Sequence, residues 1–90
     1  MRGVSPMKYR KKTVYKAFRI TRQSRWKFKD WPEWLRPLWF ENSTEPEVGV
    51  PTLDGYKVAF LGDWIVLDNG GDYSVWNDAI FKSVFEVVKQ

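Results

Sequence analysis

The stretch TLDGYKVAFLGDWIVLDNGGDYSVW, Thr52 to Trp76, decides the fold. It holds two turn signals, Asp54-Gly55 and Asn69-Gly70, each between short runs rich in Tyr, Val, Ile and Trp. Such a dipeptide between apolar runs is a strong short-range mark of a β-hairpin. A two-residue loop at Asp54-Gly55 sets Leu53 opposite Tyr56 and Pro51 opposite Val58 on one apolar face, with Thr52 opposite Lys57 on the other. Closure at Asn69-Gly70 pairs Val66 with Tyr73 and Trp64 with Val75, while Leu67 faces Asp72 and Ile65 faces Ser74. Gly62-Asp63 supplies the corner between the hairpins. Strands joined by such short turns pair antiparallel, so the stretch predicts a β meander.

Outward from it, Asn77 is placed to cap a turn or two of helix in which Ile80 and Val84 lie at i, i+4, before Phe85 to Val88 closes the chain as a strand. Toward the start, Glu41 to Gly49 reads as a polar acidic loop. Asp30, Trp31, Pro32 and Glu33 have the pattern of an N-cap, an early proline and an acid near the positive end of a helix dipole. Trp31, Trp34, Leu35 and Leu38 then follow an i, i+3, i+4, i+7 stripe that Pro37 should stop after little more than one turn. Thr13 to Thr21 is β-branched and aromatic, with Val14, Phe18 and Ile20 on one face. Lys16 interrupts that face and predicts an edge strand. Met1 to Pro6 reads as a flexible leader, leaving residues 7–90 as a single α+β domain: two hairpins plus N- and C-terminal strands, packed with one short Trp-rich helix and a brief C-terminal helix.

Composition narrows the chemistry. Ninety residues bury only about 60% of the surface exposed by the unfolded chain, so the six Trp, six Phe and four Tyr must supply much of the core. The chain has no cysteine and no histidine. Disulfides, thiol nucleophiles, hydrolytic triads and H-x-x-x-H zinc sites are thereby excluded, and the absence of cysteine fits a reducing compartment. No apolar run approaches a membrane span, and the basic start lacks the apolar region of a secretory signal. The expected setting is cytoplasmic, without a membrane partner.

Charge is the feature that speaks about partners. The first twenty-nine residues hold eleven cations and no acid, whereas from Asp30 onward eleven acids oppose Arg36, Lys57, Lys82 and Lys89; the net is +4. Arg10, Lys11, Lys12, Lys16, Arg19, Arg22, Arg25 and Lys27, interleaved with Tyr9, Tyr15, Phe18, Trp26 and Phe28, combine cations for phosphate with rings for bases. Single strands suit such a surface best. The same alternating cations also serve as solvent-side charges that keep an edge strand from pairing, and the acidic half offers them internal partners.

Two other groups invite a functional reading. Asp63, Asp68, Asp72 and Asp78 lie near turns where two could meet at a divalent cation, but Asp and Asn are ordinary turn and cap residues and no calcium-loop or phosphate-loop motif accompanies them. Neither a metal, a cofactor nor a catalytic set is expected. Trp31, Trp34, Trp39 and Phe40 could offer a protein-contact patch, yet a small α+β domain needs rings to cover its sheet. About two of these four are expected to be substantially buried.

Several of these segments also occur together elsewhere. Met7-Lys8-Tyr9-Arg10-Lys11-Lys12-Thr13-Val14 with Ala17, then Thr52-Leu53-Asp54-Gly55, Ala59, Gly62-Asp63-Trp64-Ile65-Val66, Gly71-Asp72-Tyr73 and Ile80-Phe81, resemble a family of small phage and prophage proteins. Its opening runs like M-x-Y-R-K-K-P-V-x-x-x-A and its tail like T-L-E-G-x-x-x-A-x-x-G-D-W-I-I-x-G-x-x-G-E-x-Y-P-C-K-P-D-I-F. Thr13 replaces the family's proline, and Ser74 to Ala79 replace its Tyr-Pro-Cys-Lys-Pro-Asp. The resemblance implies a phage origin and a host-cell setting, with no reaction and no catalytic residues to carry over.

The sequence thus points to a non-enzymatic phage accessory protein that binds an anionic macromolecule such as nucleic acid through its basic segment, with Trp26 stacking. The alternative is a protein-binding inhibitor of a host defence or nucleic-acid-processing complex, which would use Trp31 to Phe40 and the acidic loop. Oligomeric state is not legible.

Overall fold

Both hairpins form, and glycine placement decides their registers. The structure, a computed structural model, describes residues 15–39 and 44–86. Within them no residue other than glycine has a positive φ, whereas Gly55 sits at 101° and Gly71 at 87°. A type I′ turn centred on Asp54-Gly55 or Asn69-Gly70 also needs a positive φ at the Asp or Asn, so neither hairpin closes that way. The first turns one residue earlier, through Leu53-Asp54, which puts Thr52 opposite Gly55, Pro51 opposite Tyr56 and Val48 opposite Ala59. The Thr52 hydroxyl accepts from the Asp54 N–H at 3.2 Å and donates to the Gly55 carbonyl at 2.6 Å.

In the second hairpin Asp68 faces two residues at once. Its carbonyl accepts from the Gly71 N–H at 3.1 Å and its own N–H donates to the Asp72 carbonyl at 3.0 Å. Two residues against one, with a left-handed glycine first, make a β-bulge. The extra residue slips the expected register by one: Trp64 lies opposite Trp76, Ile65 opposite Val75 and Leu67 opposite Tyr73. Since side chains alternate in direction, that slip re-pairs the rings across the ladder.

Strands β1 (Lys16–Arg19), β2 (Val48–Thr52), β3 (Gly55–Ala59), β4 (Trp64–Leu67) and β5 (Tyr73–Trp76) form one sheet in the order β1-β4-β5-β2-β3. The chain is α+β, but its sheet is mixed where a purely antiparallel meander was expected. β2 and β5 are parallel, joined at Thr52 and Tyr73, and the other neighbours are antiparallel. The corner between the hairpins explains this. The Gly62 N–H donates to the Ile20 carbonyl at 2.6 Å, and the Ile20 N–H donates to the Asp63 carbonyl at 2.9 Å. These bonds carry β4 onto β1 and away from β3. β1 is an edge, as Lys16 foretold, and β3 is the opposite edge.

No Trp-rich α-helix covers the sheet. Trp31 precedes a proline, which disfavours helical backbone, and it is extended at φ −77°, ψ 130°. Pro37 has no N–H for the Glu33 carbonyl, so an i→i+4 ladder cannot propagate. The chain tightens instead into 3-10 turns at Ser24–Trp26, Phe28–Asp30 and Arg36–Leu38. Bonds from Leu35 to Pro32, Leu38 to Leu35 and Trp39 to Arg36 repeat the i→i+3 pattern at 2.9–3.0 Å. The apolar stripe still does what its spacing implied. Trp31 and Leu35 are buried with Ile20, Val48, Val50, Ala59 and Ile65, while Trp34, Leu38 and Trp39 pack against that cluster half-buried. Phe40 lies outside the described residues.

Helix α1 (Asp78–Val84) closes the second face. Asn77 caps it as expected, its side chain accepting from the Ile80 N–H at 2.8 Å. Phe81 stacks on Trp64 with centroids 4.0 Å apart, and Phe85 meets Phe81 at 4.8 Å and Trp76 at 5.0 Å. Phe85 and Glu86 belong to no strand; the rest of the expected closing strand lies outside the described residues. The face read as apolar, Leu53 with Tyr56 and Pro51 with Val58, is solvent-exposed, because Val48, Val50 and Ala59 take the core side of the first hairpin.

The glycine argument predicts a contrast. At Gly71 nothing lies within 4 Å of an added Cβ, so Gly71→Ala should cost backbone strain alone, about 1–2 kcal/mol in denaturant titration. Gly49 has no positive φ, and its Cβ would sit 4.0 Å from the Tyr56 ring; Gly49→Ala should change stability by less than about 1 kcal/mol.

Candidate nucleic-acid interface

The basic segment is held by a reciprocal turn at its start. The Thr21 N–H donates to the Ser24 hydroxyl at 2.9 Å and the Ser24 N–H donates to the Thr21 hydroxyl at 3.0 Å, a pattern by which Ser and Thr side chains replace missing backbone partners. The Arg25 N–H then donates to the Thr21 carbonyl at 2.8 Å. Successive 3-10 turns follow, and the residues they turn outward form the candidate surface.

That surface is Arg22, Trp26, Lys27, Phe28 and Lys29. All five are exposed, with Trp26 47% and Phe28 43% accessible. The Phe28 ring is steadied edge-on by Trp39 at 5.4 Å and by the Arg36 guanidinium 5.1 Å from its centroid. Among the described residues the ion pairs are Arg19–Asp78 and Lys82–Asp78. Arg22, Lys27 and Lys29 therefore keep their charges unpaired among those residues. Asp30 and Glu33, both exposed, end the basic run.

The other cations named from sequence fare differently. Arg10, Lys11 and Lys12 lie outside the described residues. Lys16 is exposed, but alternation along β1 sends it and Arg19 to opposite faces. Arg19 donates from Nε to the Gly62 carbonyl at 3.1 Å and reaches Asp78 at 3.5 Å, so it is committed to the corner and the helix start. Arg25 is a correction. It was grouped with the solvent-facing cations, yet it is 1% exposed.

The Arg25 guanidinium lies 4.5 Å from the Trp26 ring centroid, 5.6 Å from that of Trp39 and 6.0 Å from that of Trp31. Its Nε donates to the Pro46 carbonyl at 3.2 Å, and Nη1 has no hydrogen-bond partner. Loss of solvent lowers its pKa, opposed by the charge of Glu47. Arg is less strongly hydrated than Lys and packs on ring faces, which is why it can be accommodated there. No sequence signal separates Arg25 from its neighbours. It borders a cleft of about 450 Å³ whose lining includes Glu45, Glu47, Trp39 and Tyr56; those two acids make it a poor anion site.

Three of the four tryptophans named as contacts are engaged by the core. Trp31 is buried with its indole N–H donating to the Ser24 carbonyl at 2.7 Å, and it meets Trp39 edge-on at 5.1 Å. Trp34 stacks near Tyr73, whose hydroxyl donates to the Trp34 carbonyl at 2.7 Å. Trp26 alone of the four remains largely open. The acids of the second half act locally: Asp63 accepts from the Phe60 N–H, and Asp68 accepts from the Gly70 and Asp72 N–H groups. Among the described residues no three acids gather at a metal-binding distance. No helix is long and apolar enough to cross a membrane among those residues.

No protein-family model, curated protein or solved structure matches the chain.

Asp78 carries the sharpest electrostatic consequence. The Trp64 indole N–H, donating at 2.8 Å, and then the Lys82 ammonium hold its carboxyl below the ordinary value, with Arg19 adding and partial desolvation opposing. A carboxyl depressed in the folded state stabilises the fold above its unfolded value, about 3.9, and that contribution disappears as pH falls through the lower folded value. Between about pH 5 and about pH 2, the melting temperature of the wild type should fall more steeply than that of Asp78→Asn, which keeps the Trp64 bond but cannot titrate. Parallel slopes in thermal melts would contradict this assignment.

Proposed function

We propose that the chain is a non-enzymatic binding protein that engages single-stranded nucleic acid through its basic segment. One observation carries the reading: two partly open rings, Trp26 and Phe28, alternate along one short run of chain, beside Arg22, with Lys27 and Lys29, which make no ion pair among the described residues. Exposed cations can neutralise phosphates, and open ring faces accept bases without a sequence code. Arg10, Lys11 and Lys12 would extend the charge along the strand. A duplex hides its base faces and offers this surface phosphates only.

The resemblance to small phage proteins adds the setting, a bacterial host cytoplasm in which phage or host single strands are the ligand. The alternative, a protein-binding inhibitor built on Trp31 to Phe40, has less to work with, since Trp31 is buried and Trp34 and Trp39 are packed on the core.

Titration against labelled single- and double-stranded oligonucleotides across a salt series tests the reading. Single strands should bind more tightly than duplex at every salt. Lys27→Ala and Lys29→Ala should each reduce the slope of log K against log salt by about 0.7. Trp26→Ala should weaken single-strand binding by about 1–3 kcal/mol with that slope unchanged. No binding by the wild type at low salt would overturn the proposal.

A further inference from the structure

The cleft bordered by Arg25 holds a buried polar group without a partner. Arg25 is 1% exposed, and its side chain makes one hydrogen bond among the described residues, from Nε to the Pro46 carbonyl at 3.2 Å. Nη1 is unmet. A buried donor without an acceptor costs stability, so a guanidinium held this way calls for one. The same cleft, about 450 Å³, is walled by Pro37, Trp39, Pro51 and Tyr56 and also lined by the Glu47 carboxylate. Its volume falls within the roughly 300–1,000 Å³ of small-ligand sites. Glu47 is half-buried, and it forms no ion pair with Arg25. A strong donor and a strong acceptor thus stand apart on one cleft, where a ligand edge carrying an acceptor beside donors would satisfy both.

The cleft adjoins the basic surface. Trp39 belongs to both: it lines the cleft, and its ring meets Phe28 edge-on at 5.4 Å. The Arg25 guanidinium also lies 4.5 Å from the Trp26 ring centroid. A strand whose phosphates lie on Arg22, Lys27 and Lys29 can therefore turn one base toward Arg25 while its own charge stays away from Glu47. Among the bases, guanine fits the polar pair of the cleft. Its Watson–Crick edge sets the O6 acceptor beside two donors, N1–H and the 2-amino group. Adenine and cytosine offer one donor group beside acceptors, and thymine or uracil one donor between two acceptors. A carboxylate takes two adjacent donors on its two oxygens, whereas an acceptor in the second place repels it.

We propose that this cleft receives a guanine base of the strand bound by the basic surface, a site that rests on the strand-binding reading of that surface. O6 accepts from the Arg25 guanidinium, N1–H and the 2-amino group donate to Glu47, and the purine face packs on Trp39 and Tyr56. The base is neutral, so the acid that makes the cleft unfit for phosphate serves as the group that reads the base. The cations and rings of the surface hold any sequence; the cleft adds a preference at one position.

Fluorescence anisotropy with labelled oligo(dT) carrying a single central dG, dA, dC or dT tests the site. The dG strand should bind about tenfold more tightly than the other three. Hypoxanthine in place of guanine removes the 2-amino donor and should lose most of that gain. Glu47→Gln turns one acceptor into a donor and should bring the dG-to-dT affinity ratio to about one, while plain oligo(dT) still binds. Tyr56→Ala removes a ring that is 81% exposed, so the fold should persist by circular dichroism while most of the dG gain is lost. Trp26→Ala should weaken all four strands alike. Equal affinity for the four strands, with salt-dependent binding intact, would overturn the guanine site and leave the basic surface standing. A dG preference undiminished in Glu47→Gln would also overturn it, and absence of binding by any strand at low salt would overturn both readings.

Discussion

Trp31 ties the segment of 3-10 turns to the sheet. Its ring lies in the buried cluster with Ile20, Val50 and Ile65, its indole N–H is satisfied by Ser24, and Trp39 closes over it edge-on. Removing a buried Trp typically costs about 3–5 kcal/mol, a large share of the roughly 5–15 kcal/mol that holds a small domain. The consequence is geometric as well as energetic. The chain from Ser24 to Trp39 lacks a regular helix, and its 3-10 turns stay on the sheet because Trp31, Leu35 and their neighbours are anchored there. Trp26 and Phe28 are turned outward by the same anchoring, so the candidate binding surface depends on a core residue that no ligand touches.

Among the described residues the separation of charge persists in space for a local reason. A carboxylate that accepts backbone N–H bonds in its own turn is held near that turn and does not range over the surface. Asp63 and Asp68 are occupied in this way, and Asp78 is shared among Trp64, Lys82 and Arg19. Among the described residues of the basic segment, Arg19 alone forms an ion pair. Arg22, Lys27 and Lys29 are exposed and make no ion pair among the described residues, so their field is directed at solvent. Arg25 shows the opposite fate: an identical side chain, three residues from Arg22, becomes a packing element among indole rings.

How much could be read in advance is clearest at particular residues. Asn77 needed only its own neighbours to cap α1, and Gly62-Asp63 marked the corner by composition. The stripe Trp31, Trp34, Leu35, Leu38 foretold burial correctly but secondary structure incorrectly, since apolar spacing records which residues the core needs, whereas Pro32 and Pro37 govern which backbone hydrogen bonds exist. The hairpins failed for a finer reason. Asp54-Gly55 and Asn69-Gly70 fit a primed turn in sequence, yet Asp54 and Asn69 keep negative φ and the positive φ falls on Gly55 and Gly71. That displacement of one residue moved every predicted pair. For the candidate surface, exposure of Trp26 and Lys27 was anticipated, whereas the burial of Arg25 was not.

Local chemistry alone determined that this chain would make short strands, glycine turns, a capped terminal helix and a strongly basic first third, because each depends on residues within a few positions of one another. Only the tertiary structure decided the strand order, the bulge that pairs Trp64 with Trp76, and which arginine is buried. Those outcomes rest on contacts between distant segments: Ile20 with Gly62 and Asp63, Arg25 with Pro46, and Trp34 with Tyr73. Their formation depends on competition among all possible burials of the same rings. The exposed side of the first hairpin is the plainest case. The sequence offers two apolar faces there, and packing against Trp31 and Leu35 selects Val48, Val50 and Ala59, leaving Tyr56 and Val58 outside.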